Sequence, residues 1–376
     1  MLAVWIAWGF AVLYACLQGY YLYYWKKTPS YNLSNTDKIT SGVSIVIVAR
    51  NESANIRLCL KSILKQTVSK ELFEIIVIDD HSTDDTLDKI REIDSEQIHL
   101  FRLKDYPEYI YEPAYKKSGI TLAVDKARFE NILVSDADCV YNEDWLSITL
   151  HSFQQTNSVF QTGPVLLTNS DSLLEKMQEV EQLTLMLITG SGIKSGLHDI
   201  ASGANMLFSK TAFKKVKGYE GNYHYPSGDD MFLIEKMRTA YPNQISFLKS
   251  AKASVYTQGK KTWESLIQQR LRWAGKNKGL KNHVIKNLWS FVGLYHLFLV
   301  LTFATAVLAL TPWKPFLILL IGKWLADYFI INNAATFFKR TDLIRLFVTL
   351  QMFYFYYIVR LSWAMLLGKK GDWREA

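Results

Sequence analysis

From Leu2 to Trp25 the chain carries no charged side chain, and the run stops at Lys26-Lys27. A small soluble core cannot hide so long an apolar stretch. At ~1.5 Å per residue it does cross a bilayer core of ~30 Å. No basic segment precedes it and no small-residue cleavage site follows, so it reads as a retained anchor at residues 1–25 rather than a removable signal. The C-terminal part is apolar again, with candidate spans at Trp289 to Leu310, Pro315 to Phe338 and Leu343 to Leu367. One N-terminal and two to three C-terminal membrane helices are therefore expected, bracketing a polar middle.

The aromatic share of 14% and the hydrophobic share of 49% come largely from these two ends of the 376-residue chain. The net charge of +8 does not point to nucleic acid. Many of the basic residues (Lys26, Lys27, Lys286, Lys339, Arg340, Lys369, Lys370) flank apolar segments, the pattern of loops on the cytoplasmic side of a membrane. Three cysteines, Cys16, Cys59 and Cys139, lie far apart and lack metal-ligand spacing, which argues against a disulfide framework or zinc site. Lys323 and Asp327, four apart inside a candidate span, either pair with each other or mark a functional face.

After a polar linker at residues 26–42, the middle alternates strands and helices. Val43 to Ala49 reads as a strand, Ala54 to Lys65 as a helix, Phe73 to Ile78 as a second strand and Thr86 to Ile93 as a second helix. Ile98 to Leu103 and Ile132 to Ser135 supply further strands. Such alternation implies an α/β fold with a mostly parallel sheet, in which ligands bind at the carboxyl ends of strands. Longer amphipathic helices are expected at Asp171 to Ile188 and Trp263 to Trp273.

Polar motifs sit at those strand ends. Asp136 and Asp138 follow the buried run Ile132-Leu133-Val134-Ser135, and at i and i+2 of an extended chain both carboxylates can face one hard cation. Magnesium or manganese bound together with a diphosphate suits such a pair; a solvated loop pair is the alternative. Ala49-Arg50-Asn51-Glu52 ends the first strand and can hold a ring and ribose. Asp79-Asp80 ends the second, where a carboxylate can accept the imide hydrogen of a uracil; Asp84 and Asp85 read as helix caps. Asp229-Asp230 precedes a helical pattern, either as a cap at Met231 or as a general base. Gln269, Arg272 and Trp273 share a helical stretch in which the guanidinium suits a departing diphosphate and the indole a sugar face. The same string also fits a basic helix at a membrane surface.

In this order, Asp79-Asp80 with Ser82 and Asp84, Asp136-Ala137-Asp138, Gly228-Asp229-Asp230 and Gln269-x-x-Arg272-Trp273 resemble a membrane-anchored family 2 glycosyltransferase, the group that includes cellulose, chitin and hyaluronan synthases. The resemblance runs from about Val43 to Trp273. It implies a Rossmann-like GT-A catalytic domain, residues 43–286, that takes a nucleotide-sugar donor, commonly a UDP-sugar. By carry-over Asp80 contacts the uracil, with Asp79 the lesser candidate, and Asp136 and Asp138 sit at the diphosphate with Asp138 most directly on Mg2+ or Mn2+. Asp230 matches the base, and Arg272 and Trp273 match the motif that closes the site. Lys117, in Lys116-Lys117-Ser118-Gly119, resembles a donor-phosphate contact. Gly203 and Asn205 lie in a stretch that resembles the acceptor region, to which Asp229 and Trp273 are also assigned.

The implied chemistry is an inverting transfer to a hydroxyl of a lipid, lipid-linked or saccharide acceptor. The few spans, and the lack of a clear gating-loop motif, favour single-sugar transfer over polymer synthesis or an inactive scaffold. The expected place is a plasma or inner membrane, with the catalytic domain in the cytosol, a C-terminal membrane region at 287–368 and a basic tail at 369–376. Four full crossings would put that tail outside, against the preference of Lys369-Lys370, so one C-terminal segment is expected to be interfacial or re-entrant.

Overall fold

The computed structural model describes residues 1–32, 39–168, 171–276, 279 and 282–367. The middle of the expected linker and the basic tail lie outside the described residues. Strands β1 (Val43–Ala49), β2 (Phe73–Asp79), β3 (Ile98–Arg102) and β4 (Asn131–Asp136) form the parallel part of a sheet in the order β3-β2-β1-β4. Five of the remaining strands are short: β5 (Val140–Tyr141), β6 (Phe160–Thr162), β7 (Val165–Leu167), β9 (Ile245–Phe247) and β10 (Val255–Thr257). With β8 (Met206–Ser209), β6 and β9 extend the sheet beyond β4 to seven strands, β8 running antiparallel to both β4 and β6. A second sheet, β5-β10-β7, was not foreseen, because two- and three-residue strands carry no readable alternation.

The catalytic-region helices are α2 (Ile56–Leu64), α3 (Thr86–Arg91), α4 (Tyr115–Lys126), α5 (Trp145–Thr156), α6 (Leu173–Ser195), α7 (Lys210–Lys215), α8 (Asp229–Ala240) and α9 (Trp263–Lys276), all following the N-terminal α1 (Leu2–Lys27). Then come α10 (His283–Val307), α11 (Lys314–Phe337) and α12 (Phe347–Leu366), the last preceded by a tight 3-10 turn at Thr341–Leu346. Four helical segments, Leu2–Lys27, His283–Val307, Lys314–Phe337 and Thr341–Ala364, are long and apolar enough to cross a membrane.

Strand sequence explains the layering. In β1, β2 and β4 both faces are apolar, as strands covered by helices on both sides require. The two-residue period sends Val46, Ile76, Ile78, Ile132 and Val134 into one core with residues of α4, α6 and α8. It sends Ile45, Ile47, Ile75, Val77 and Leu133 into the other with residues of α2 and α5. Each such side chain, taken fully out of water, contributes roughly 1.5–3 kcal/mol before the entropy of ordering is set against it.

α1 is bound to the globular part at its inner end. Tyr21 and Trp25 belong to the first of these cores. Lys249, buried just beyond β9, donates from Nζ to the Trp25 carbonyl at 2.6 Å and the Thr28 carbonyl at 3.2 Å, with its ammonium 4.3 Å from the centre of the Trp25 ring. Both carbonyls lie at the C-terminal end of α1, where a cation meets the negative end of the helix dipole, and the Trp25 carbonyl also accepts Thr28 N–H at 3.3 Å.

Between the spans, Lys323 and Asp327 form an ion pair, as the first of the two readings had it. Tyr14 Oη donates to Asp327 Oδ1 at 2.6 Å, and Gln351 Nε2 donates to Asp327 Oδ2 at 3.2 Å. The pair thereby ties α1, α11 and α12 together.

Lys249→Met keeps the stem and removes the donor. It is expected to lower the unfolding free energy by about 1–3 kcal/mol, read as a fall in melting temperature of the detergent-solubilised protein. An unchanged melting temperature would show that this cap contributes nothing.

Candidate active site

In the sheet, β1 has β2 on one side and β4 on the other, so the chain reverses its direction of winding at β1. The crevice at the carboxyl ends of these strands is where such a sheet binds ligands. Register does the rest: Ala49 pairs with Asp79 and Val48 with Asp136, which brings three strand ends level.

The loops after β1 and β2 are knitted to each other. Asp80 N–H donates to the Ala49 carbonyl at 2.8 Å. Asn51, at φ 55°, accepts Thr83 N–H on its side-chain oxygen at 2.8 Å, and Ser53 N–H donates to Asp84 at 3.1 Å. Asp84 also accepts the Thr86 amide at 3.0 Å, whereas Asp85, which stands at the N-cap of α3, makes no side-chain capping bond. Partial burial works against the charge of Asp84, but the hydrogen bonds from Thr86 and Ser53 outweigh it and bring the carboxyl down to about 2. Asp80 is 3% exposed and Asp79 1%. The Asp80 carboxylate meets His81 Nδ1 at 2.9 Å and Arg50 at 4.0 Å, and burial pushes it above the ordinary aspartate value despite both neighbours. Asp79 instead accepts the Ser82 amide at 3.3 Å. Glu52 accepts from Asn55 at 2.9 Å and is raised by burial, with Asp138 and Asp136 near enough to add to the shift.

At the end of β4 the backbone turns at once, Cys139 N–H donating to the Asp136 carbonyl at 3.2 Å. Asp136 and Asp138 are therefore brought together by a turn rather than by strand alternation, and they take different partners. Asp136 Oδ1 receives Lys116 Nζ at 2.5 Å, while Asp138 Oδ2 accepts Thr257 Oγ1 of β10 at 2.9 Å. Both remain partly exposed.

Lys116 also lies 3.4 Å from Asp229 Oδ2, and so bridges the end of β4 to the start of α8. Burial disfavours its charge, but Asp136 and Asp229 outweigh that and hold it above the ordinary lysine value. Gly203 forms the floor here: a Cβ on it would stand 2.7 Å from Asp229 Oδ2 and 3.0 Å from Lys116 Nζ. α8 begins at Asp229, two residues earlier than the cap reading had it, because Gly228 at φ +87° makes the entry turn. Both aspartates thus occupy the first helical turn, where the dipole favours negative charge. Asp230 is 8% exposed and its Oδ1 accepts the Met231 amide at 2.8 Å.

From α9, Arg272 completes the ring of charge. Burial depresses its guanidinium, and Asp136, Asp138 and Asp229 are the carboxylates that oppose the shift. Gln269 accepts from Arg270 Nη1 at 2.6 Å, and Arg270 lies 4.2 Å from the centre of the Trp273 ring. Arg270 also donates to Glu181 of α6 at 2.6 Å, a pairing no sequence motif announced.

Two assignments land elsewhere. Lys117 turns about one helical step away from Lys116, is 1% exposed, and donates to the carbonyls of Tyr225 at 2.6 Å and Ser227 at 2.8 Å. Lys116 bridges Asp136 and Asp229. Adjacent helical positions point ~100° apart, so a lysine pair opening a helix could serve both places. Asn205 is likewise 1% exposed: its amide donates to the Pro164 and Ala253 carbonyls at 3.0 and 3.3 Å and accepts Trp145 Nε1 at 3.3 Å. These contacts give it a structural task.

For a divalent cation, the donors fit a particular pattern. Among the described residues no three His, Cys, Asp or Glu side chains form a metal-binding group. Asp136 and Asp138 supply hard oxygens, and the remaining ligands would come from a diphosphate and water, as is usual for magnesium.

Comparison with known proteins identifies the family. Residues 44–217 match the Glycosyl transferase family 2 domain, and residues 131–368 match Glycosyl transferase family group 2. A poly-beta-1,6-N-acetyl-D-glucosamine synthase of Staphylococcus aureus is 26% identical over 191 residues, 49% of this chain and 43% of the relative. The probable glycosyltransferase YdaM of Bacillus subtilis is 25% identical over 248 residues, 63% of this chain and 55% of the relative. The chain thus spans about half the length of these curated relatives. Among solved structures, the mannosyltransferase PcManGT of Pyrobaculum calidifontis, in complex with GDP-Man and Mn2+, superposes with a TM-score of 0.56 at 16% identity, covering 97% of this chain and 100% of that one. That likeness concerns the fold.

Asn205→Ala removes the donor to the buried Ala253 carbonyl and the acceptor of the Trp145 indole N–H, while the Pro164 carbonyl keeps Val255 N–H at 3.0 Å. A loss of about 1–3 kcal/mol of stability is expected, measured by thermal unfolding. Unchanged stability, with ligand binding lost, would return Asn205 to the site.

Proposed function

We propose, for a chain that belongs to glycosyl transferase family 2, that it moves a sugar with inversion from a UDP-sugar to an acceptor hydroxyl at the membrane. One observation carries the reading: Asp136, Lys116 and Asp229 form a continuous charged bridge beside Arg272, at the crevice where the sheet reverses. Such a ring can hold a diphosphate at one end and an activated hydroxyl at the other.

The residues divide the work. Asp80 receives the base of the donor, with Ala49, Arg50, Asn51 and Glu52 forming the adjoining loop. Asp136 and Asp138 hold Mg2+ or Mn2+, which when bound neutralises charge on the diphosphate. Asp230 takes the proton of the acceptor hydroxyl; the oxygen bonds to the anomeric carbon; and the bond from that carbon to the diphosphate breaks, its electron pair leaving with the nucleotide. Arg272 faces the charge that develops there, and its fixed position makes it effective in a site partly shielded from water. Trp273 offers a flat surface to a sugar ring, and Gly203 leaves room for Asp229.

N-acetylglucosamine is the donor sugar favoured by the Staphylococcus aureus relative's printed name, and the acceptor is a lipid, lipid-linked or saccharide hydroxyl. The same relative favours a second reading, polymer synthesis. We place single-sugar transfer first, and gel sizing of products made from labelled UDP-N-acetylglucosamine separates the two: a ladder of long chains contradicts it. Lys26-Lys27 at the inner end of α1, next to the catalytic domain, supports a cytosolic site on a plasma or inner membrane.

Asp230→Asn is expected to reduce transfer by roughly 10²–10⁴-fold while UDP affinity stays within a few-fold, measured by product formation and nucleotide titration. Near wild-type turnover would remove Asp230 from the base role.

A further inference from the structure

Lys116 occupies one of the two carboxylate oxygens that Asp136 could offer a cation. Its Nζ is 2.5 Å from Asp136 Oδ1, and a magnesium-sized ion coordinates a carboxylate oxygen at ~2.0–2.1 Å. Two cations on one carboxylate stand close together and repel each other, an effect that water weakens but does not remove at this range. Without another anion Lys116 is held where it stands. It is only 15% exposed, its second neighbour is Asp229 at 3.4 Å, and the Gly203 backbone lies against both. Lys117 is turned the other way, toward the carbonyls of Tyr225 and Ser227.

Charge balance shows what would draw Lys116 off. Lys116 stands between two carboxylates, Asp136 and Asp229. An arriving diphosphate brings further negative charge within reach of the ammonium. It gives Lys116 a new partner and leaves Asp136 to the metal.

We propose that Lys116 is a built-in counter-ion for Asp136 that keeps the divalent cation out until a nucleotide diphosphate arrives, so that cation and donor bind as a linked pair. Lys116 is then a positioning residue for the donor complex, and the proposal rests on the metal-dependent reading above. By thermodynamic reciprocity, UDP tightens the metal by the same factor as the metal tightens UDP.

The test titrates Mn2+ into the full-length protein in detergent, following the paramagnetic resonance of free Mn2+, alone and with saturating UDP or GDP. For the wild type, the better nucleotide is expected to tighten Mn2+ roughly 5–150-fold. In Lys116→Met, nucleotide-free Mn2+ binding should tighten by about tenfold or more, and the nucleotide-dependent gain should shrink accordingly. Lys116→Arg, which keeps the charge, should retain weak nucleotide-free binding. Lys116→Gln serves as a second neutral variant if the methionine protein does not melt cooperatively. Unchanged or weaker nucleotide-free Mn2+ binding in a folded neutral variant overturns the proposal. So does a wild type that binds Mn2+ equally well with and without nucleotide, a result that leaves the metal-dependent reading intact. A wild type that takes up no Mn2+ under either condition overturns both.

Discussion

The pairing of β1 between β2 and β4 is the constraint from which the rest of the structure follows. Because β1 is paired on both sides, its end cannot shift without breaking two ladders and exchanging the side chains of two differently packed cores. Its register sets Asp79 against Ala49 and Asp136 against Val48, so donor-side carboxylates are placed by the most rigid part of the fold. The other half of the site is less rigidly held. Asp229 and Asp230 depend on the entry turn at Gly228, and Arg272 depends on α9, itself tied to α6 through Arg270 and Glu181.

That tie matters because α6 is also the meeting place of the membrane and catalytic parts. Ser191 of α6 donates to the Tyr21 carbonyl at 2.8 Å, and buried Glu179 pairs with Arg340 beyond α11. α12 adds Arg360, which donates to Glu264 of α9 at 2.8 Å, and Tyr356, whose ring stacks edge-on with Trp263. The helix carrying Gln269, Arg272 and Trp273 is thus held between a candidate span and the sheet domain. A span that is partly committed to α9 is consistent with the charge conflict at the C-terminus, where a fourth full crossing suits the lysines badly. Outward-facing Trp5, Leu13, Leu297, Leu301, Leu325 and Phe329 stay exposed, an apolar girdle that associates with a membrane.

Much of this was legible in the sequence, for physical reasons. Val43–Ala49 was read to the residue, because a β-branched run bounded by polar loops has one sensible extent. The acidic strand ends were visible for the same reason. Short strands were invisible, as was the antiparallel β8 that inserts beyond β4, since neither periodicity nor length marks Met206–Ser209. The lysine pair shows the limit most clearly. Motif resemblance selected Lys117, yet the rotation of α4 turns Lys116 to Asp136 and Lys117 beneath the loop before α8. Only the orientation of that helix decides between them. Asn205 fell near the right loop but inward, where its amide satisfies Pro164, Ala253 and Trp145.

The central claim is that these groups carry out a direct displacement at an anomeric carbon. Proton NMR of the glycoside formed from α-linked UDP-N-acetylglucosamine, read at its new anomeric proton, tests it most directly. A newly formed β-glycosidic bond is the predicted result, and an α-glycosidic bond would contradict it.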